Sequence, residues 1–338
     1  MLHILTSAPL LDSFASELSG VAEITRLEPD GTFDAAPSTI FDGVFVGPEA
    51  FSFGRERFLQ LNRSIAELIL AKRVLWVHLC ASGIDGAIFH APMKAAHTAG
   101  AKLTHSPGVY ATPIAHYCLA HMLSITRELR EHAADQSAGV YNSRIQKDVR
   151  SMTVGIVGAG GIGEEVARLA KACGMRTLGF RRSFPSTPSG NFDEVLVGPD
   201  GLPSLLAASH FVIVAVPLTP ATRGMIGAPE FQSMRTDGWL INVSRGAVVD
   251  EEALATALVA EGVAPAGAVL DVFAREPLPP DSPLWKMPNC IMTPHDSWRT
   301  DHAYNDNYRY FVDNVRRLAA GEPLQGVVPQ ELLQPALQ

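Results

Sequence analysis

Cysteine is scarce in this chain, with four residues in 338, and Cys80, Cys118, Cys173 and Cys290 lie far apart and never form a CxxC pair. Neither a zinc site nor a disulfide framework is suggested by that spacing, no metal is expected, and a reduced cytoplasm is the expected setting. Long apolar runs are also missing: none approaches the roughly 18 residues that a membrane span needs. The first residues have no basic stretch and carry Asp12 and Glu17 early, unlike a signal peptide. Positive charge is in deficit, 27 Lys and Arg against 35 Asp and Glu, and the net charge of -8 argues against nucleic acid and anionic membrane as partners. No internal repeat or low-complexity tract interrupts the chain.

What is present is a rhythm of short apolar runs and helical stretches in a chain long enough for two cores. His3 to Thr6, Gly43 to Val46, Val74 to Leu79 and Lys102 to His105 read as buried strands. From Pro113 to about Ala134 the apolar positions recur at helical spacing, which predicts one long helix between two halves. A denser series follows. Strands are expected at Thr153 to Val157, Arg176 to Phe180, Phe211 to Ala215, Trp239 to Asn242, Gly267 to Asp271 and Cys290 to Met292. Strands so uniformly apolar suit parallel sheets covered by helices on both faces, so the fold class is α/β with two doubly wound parallel sheets. Pro185 to Gly190 reads as a surface loop. A last helix, about Asp301 to Ala320, has no further strand to pair with. Its expected return to the first half gives a discontinuous domain, 1–105 with 297–338, around a domain of 106–296.

Val154, Ile156 and Val157 lead into Gly158, Gly160 and Gly163, a GxGxxG turn that opens a helix with Gly161 and Ile162. Gly158 permits the tight turn, Gly160 lets a pyrophosphate approach the backbone, and Gly163 lets helix and strand pack closely. The free N–H groups at the helix start then hold the phosphates. An acidic residue at the end of the next strand would favour NAD, but Arg181, Arg182 and Ser183 stand there instead. Guanidinium groups suit a ribose 2′-phosphate, so NADPH is the expected cofactor and NAD a weaker one.

Three later segments place polar residues just past strand ends, at the edge where such sheets present ligands: Asn242 to Gly246, Asp271 to Pro277 and Thr293 to His295. Arg245, Glu276 and His295 in those segments suit a substrate anchor, a histidine partner and a proton donor. With them in order come Val216-Pro-Leu-Thr-Pro-Ala-Thr222, Ile241 to Asp250, Leu270 to Leu278 and Pro283 to His295. On these motifs the chain resembles the D-isomer-specific 2-hydroxyacid dehydrogenase family over nearly its whole length, with Ala81-Ser-Gly-Ile-Asp85 looking like that family's substrate loop.

The resemblance implies a Rossmann-type cofactor domain inserted into a flavodoxin-like substrate domain, and a homodimer formed through the cofactor domain. It implies that Arg245 grips the substrate carboxylate and carbonyl oxygen, and that His295 exchanges a proton with that oxygen. Glu276 would orient the imidazole and favour its charged form, and backbone N–H groups at Ser82 and Gly83 would hold the carboxylate from the other domain. Val216, Pro217, Thr222, Val243 and Asp271 would complete the cofactor site, and Trp298 would wall the substrate pocket. The implied activity is NADPH-linked reduction of a small 2-oxo acid to the D-2-hydroxy acid, with glyoxylate and hydroxypyruvate as candidates. Phosphoglycerate dehydrogenase shares the chemistry but calls for a regulatory domain after Ala320, and formate dehydrogenase pairs its histidine with glutamine where this chain has Glu276. A dinucleotide-sensing interaction protein, like the corepressors on this fold, is the alternative from another class. His116 stands where the family commonly has glutamate, and Asp296 where it has a small or apolar residue. His116 and His121, five apart on one helix, share no metal-binding face and have a structural role or one at a subunit contact.

Overall fold

In the computed structural model the apolar runs become twelve strands and the stretches between them ten α-helices among the described residues, which are all except 8–13, 183–189, 261, 263, 331, 334–338 and the side chain of Ala15. In chain order the first part has β1 (Leu2–Thr6), α1 (Ala15–Leu18), β2 (Ala22–Arg26), β3 (Gly43–Val46), α2 (Arg55–Leu70), β4 (Trp76–Leu79), α3 (His90–Ala99) and β5 (Lys102–His105). Next come α4 (Ala111–Thr126), α5 (Leu129–Ala138), β6 (Thr153–Val157), α6 (Gly161–Ala172), β7 (Arg176–Phe180), β8 (Glu194–Leu196), α7 (Gly201–Ala208) and β9 (Phe211–Val214). The last are α8 (Ala228–Ser233), β10 (Trp239–Asn242), α9 (Glu251–Val259), β11 (Gly267–Leu270), β12 (Cys290–Met292) and α10 (Asp301–Ala319). Two units result: residues Met1–Val109 with Arg299–Gln338, and Tyr110–Trp298.

In the first unit five parallel strands run in the order β2-β1-β3-β4-β5, the flavodoxin-like arrangement. Side chains alternate across the sheet as the strand period of two requires. Leu5, Val44, Val46, Val77 and Leu79 enter one core with Phe58, Ile65 and Met93 of α2 and α3. Ile4, Phe45 and Trp76 enter the opposite one with Tyr308, Phe311 and Val315 of α10. Phe45 and Phe311 stack with ring centroids 4.4 Å apart, so the C-terminal helix supplies the layer that closes this face.

Between those layers His78 is wholly enclosed, its Nδ1 2.7 Å from Thr104 Oγ1 and its Nε2 3.0 Å from Ser106 Oγ. Burial, with a smaller contribution from the neighbouring His105, depresses its pKa to about 3. An unfolded chain protonates this histidine near 6.5, so its contribution to stability is full above that pH and is lost as pH falls toward 3, by a limit of about 5 kcal/mol. The urea midpoint is therefore expected to drop between pH 7 and pH 4.5, and to drop visibly less in His78→Gln. Equal drops would show that another group carries the acid sensitivity.

The second unit holds seven parallel strands ordered β12-β11-β10-β9-β6-β7-β8, a Rossmann sheet with one strand added beyond the usual six. Two edge strands escape the sequence pattern. β2 is largely exposed and mixes Glu23 and Arg26 with apolar residues, and β8 has only three residues. The long helix expected from Pro113 to Ala134 is two helices: α4 ends at Thr126, whose hydroxyl bonds back to the Met122 carbonyl at 2.8 Å, and Glu128 turns left-handed at φ 47° before α5. Helical spacing runs on across so short a break, which is why periodicity does not register it. No helix among the described residues is long and apolar enough to cross a membrane.

Candidate active site

All five residues of β6 are buried, and the strand delivers Gly158 to the carboxyl edge of the sheet between β7 and β9, where the strand order reverses. Gly158 has φ +108°, and a Cβ on it would sit 2.6 Å from the Ala215 carbonyl oxygen, so neither the conformation nor the space admits a side chain. At Gly163 a Cβ would meet the Gly158 carbonyl oxygen at 2.2 Å, which is how closely α6 packs on the turn. Gly160, the N-cap of α6, faces open space instead. The N–H groups of Gly161, Ile162 and Gly163 lie in the first turn, where a helix offers no internal acceptor. A cleared approach over a helix N-terminus fits the pyrophosphate of a dinucleotide.

Around this turn Val216 packs its Cγ1 against Gly158, and Thr222 closes the following loop by donating to the Pro217 carbonyl at 2.6 Å while accepting from Thr219 N–H at 2.8 Å. Val243 is buried and its N–H bonds the Val214 carbonyl at 3.2 Å. Past β7, Arg181 is half-buried and Arg182 exposed, and among the described residues neither joins a carboxylate in an ion pair. Ser183 lies outside the described residues, as does the Pro185 to Ser189 part of the expected surface loop.

Arg245, Glu276 and His295 are carried by the segments after β10, β11 and β12. His295 Nδ1 lies 2.9 Å from Glu276 Oε2, and Glu276 Oε1 accepts the Phe273 N–H at 3.0 Å. Burial pushes the Glu276 carboxyl up, but the hydrogen bond and charge of His295, the Phe273 N–H and the Arg245 charge together outweigh it and hold the group below its ordinary value. The carboxylate form is thus lost only as pH falls below about 4.5, through the lowered folded value. With Nδ1 committed, Nε2 is the nitrogen left to exchange a proton with a ligand, and the imidazole is 38% exposed.

Arg245 is placed by a local turn: Asn242 accepts from the Ser244 N–H at 3.1 Å and the Ser244 hydroxyl at 2.8 Å, and its amide donates to the Arg245 carbonyl at 3.2 Å. One guanidinium nitrogen donates to the Ser244 carbonyl at 2.8 Å. Next to it, a Cβ on Gly246 would stand 1.8 Å from the Phe273 carbonyl carbon. The backbone after β10 therefore presses directly on the backbone before Glu276, and this contact brings the guanidinium within electrostatic reach of the Glu276 carboxylate.

Asp271, 1% exposed at the end of β11, uses its carboxylate on the segment that bears His295. It accepts the Thr293 hydroxyl at 2.6 Å, the Asp296 N–H at 3.0 Å, the Ser297 N–H at 3.2 Å and the Ser297 hydroxyl. His295 sits inside this wrap with φ +58°, a left-handed conformation that costs a non-glycine residue about 1–2 kcal/mol and persists where neighbours fix it. Trp298 turns its indole N–H back on the His295 carbonyl at 3.1 Å and sets its ring edge-on to Tyr110, so it too fixes this segment.

In the first unit, Ser82 and Gly83 follow β4 at the carboxyl edge of that sheet. Ser82 donates its hydroxyl to the Ser106 carbonyl at 2.6 Å, its own carbonyl lies 3.1 Å from His105 Nδ1, and Gly83 is exposed. His116 is exposed and His121 half-buried on α4, its ring edge-on to Tyr117 at 4.4 Å. Among the described residues no three His, Cys, Asp or Glu side chains gather to hold a metal.

Asn242, Gly246, Thr293 and Ser297 receive no role from the sequence, although the first three lie in segments that it singles out and Ser297 follows the last of these by two residues. Their work is to shape loops by hydrogen bonding and close approach. Only the glycine directly after Arg245 carried a readable signal, the residue type that close backbone approach demands.

A Rossmann unit whose carboxyl edge joins an open glycine turn to an arginine and a glutamate-held histidine belongs to the dinucleotide-binding oxidoreductases. The family described as D-isomer specific 2-hydroxyacid dehydrogenase, NAD binding domain, matches residues 119–297. A glyoxylate/hydroxypyruvate reductase B of Pectobacterium carotovorum is 36% identical over 240 residues, 69% of this chain and 73% of the relative. A glyoxylate reductase of Korarchaeum cryptofilum is 34% identical over 249 residues, 71% of this chain and 73% of the relative. Among solved structures, a D-isomer specific 2-hydroxyacid dehydrogenase of Xanthobacter autotrophicus in complex with NADPH and MES is 25% identical, covers 99% of each chain and superposes with a TM-score of 0.74. The chain belongs to the D-isomer-specific 2-hydroxyacid dehydrogenase family.

Proposed function

We propose that the chain is an NADPH-linked 2-oxo acid reductase producing the D-2-hydroxy acid, with glyoxylate and hydroxypyruvate as substrates. The observation that carries this reading is the Glu276–His295 pair with the Arg245 guanidinium beside it, at the same sheet edge as the glycine turn. The names of the two reductase relatives support the choice of oxo acids.

Arg245 offers the substrate a planar fork of donors for its carboxylate and carbonyl oxygen. A reduced nicotinamide, when bound, supplies the hydride that carbon 2 receives. His295, from Nε2, gives the proton that the carbonyl oxygen takes up and recovers one from solvent; in oxidation it accepts the proton from the hydroxyl. Glu276 keeps the ring turned for this exchange. The cofactor is held by Gly158 through Gly163, by the 216–222 loop, and by Val243 and Asp271 near the nicotinamide.

Arg181 and Arg182 select the 2′-phosphate in this reading, and the NADPH of the Xanthobacter structure accords with it. The double replacement Arg181→Ala and Arg182→Ala is expected to raise the KM for NADPH by about 10- to 100-fold, the range of charge-assisted hydrogen bonds, and that for NADH by less than about threefold. Equal losses for both cofactors would show that the guanidinium groups do not read the phosphate.

We further infer a homodimer through the Rossmann unit, in the cytoplasm. Helix α5 is largely polar and has no buried residue, but Leu129 at its start and Val140, Tyr141 and Ile145 just beyond it are exposed apolar side chains suited to contact with a second copy. Analytical ultracentrifugation is expected to return twice the chain mass of 36.3 kDa; a monomer at all concentrations would exclude it.

A further inference from the structure

Asp271 is a buried carboxylate that no Lys or Arg neutralises among the described residues, so hydrogen bonds alone must hold its charge. Four of the groups that do so belong to Thr293, Asp296 and Ser297, the residues that bracket His295. The bracket itself has an outside support. On α4 the Tyr117 hydroxyl lies 2.7 Å from Thr293 Oγ1, across 176 residues of sequence.

Proton accounting fixes the direction of this chain. A carboxylate only accepts, so the Thr293 proton points to Asp271, and the Thr293 oxygen accepts from the Tyr117 hydroxyl. Burial, with the Asp271 charge among the smaller causes, pushes the Tyr117 hydroxyl well above the ordinary range, so it stays a donor at every working pH. Such a chain is polarised along its length and strengthens the bond next to the charge. The sequence gives Tyr117 no role, and neither cofactor nor substrate is assigned to it.

We propose that Tyr117 is a positioning residue for His295, acting through Thr293 and Asp271 to hold the 293–297 segment in its left-handed turn. The hydroxyl fixes Thr293 from the α4 side, while Asp271 fixes both ends of the bracket from β11. His295 Nδ1 then meets Glu276 because the backbone between Thr293 and Asp296 has one shape available to it. The proposal rests on the reductase reading for its effect on rate, but the geometry of His295 can be followed without turnover.

Tyr117→Phe keeps the ring, its contact with His121 and the packing of α4, and removes only the hydroxyl. It is expected to lower kcat by about tenfold, as small misplacements of a reacting group do, with the KM for the oxo acid and the Kd for NADPH within twofold of wild type. Thr293→Val breaks the same chain one link on, so the double variant is expected to lose no more than Thr293→Val alone. In ¹³C-histidine-labelled protein, the ring resonance that His295→Asn identifies is expected to move in Tyr117→Phe. A kcat within twofold of wild type and an unmoved resonance would overturn the proposal. So would a fall in kcat matched by equal losses in NADPH and oxo-acid binding, which marks a general structural defect. A wild-type protein that turns over no 2-oxo acid would defeat the reductase reading instead, and the His295 resonance would then decide the positioning claim by itself.

Discussion

His295→Asn is expected to lower kcat for 2-oxo acid reduction by about a thousandfold, within the range that general acid catalysis contributes, and to leave NADPH affinity within about twofold. Asparagine suits the test because it is among the residues that tolerate a left-handed backbone, so the φ of +58° survives the change. The Asp271 bracket also survives, since it is built on Thr293, Asp296 and Ser297. What disappears is the ring that Glu276 holds and that donates the proton in the proposed reaction. Steady-state rates with NADPH and glyoxylate, together with cofactor binding by fluorescence, check this. A fall of less than tenfold would mean that another group delivers the proton.

Gly246→Ala is expected to lower activity sharply although the glycine brings no reacting side chain of its own. The added Cβ would stand 1.8 Å from the Phe273 carbonyl carbon and 2.1 Å from the Ala274 nitrogen. Both neighbours are backbone, so no side chain can swing aside. The segments that carry Arg245 and Glu276 must part, and the reacting groups move by an ångström or more. A displacement of that size typically costs about 100-fold in kcat/KM. Overpacking adds a loss of about 1–3 kcal/mol in stability. Activity within tenfold of wild type would show that the two segments are less tightly joined than the backbone contact indicates.

Features that depend on local spacing were legible in the sequence. The strand, glycine turn and helix from Thr153 to Ala172 declare themselves because β6 is apolar throughout and each glycine answers a steric demand within a few residues. Arg245, Glu276 and His295 each follow a strand, so the parallel sheet carries them to one edge. Features that depend on distant partners were not legible. Tyr117 finds Thr293 across 176 residues, and nothing in a helical apolar pattern marks a tyrosine as half-buried donor rather than core. The break between α4 and α5 is two residues long and leaves the helical spacing intact. Asp271 and Trp298 show a third case: besides the cofactor contact and pocket wall read from the sequence, the Asp271 carboxylate and the Trp298 indole make hydrogen bonds to the 293–297 segment that no local spacing announces.

In the proposed reaction hydride and proton arrive at carbon 2 and the oxygen of a 2-oxo acid at this sheet edge. Hydroxypyruvate incubated with the protein and NADPH deuterated at the transferring position tests it most directly, by mass spectrometry and chiral analysis of the product. The expected product is D-glycerate with one deuterium at carbon 2 for each NADPH consumed, with no labelled product from His295→Asn on the same time scale. NADPH consumption without label at carbon 2, or an L product, would contradict it.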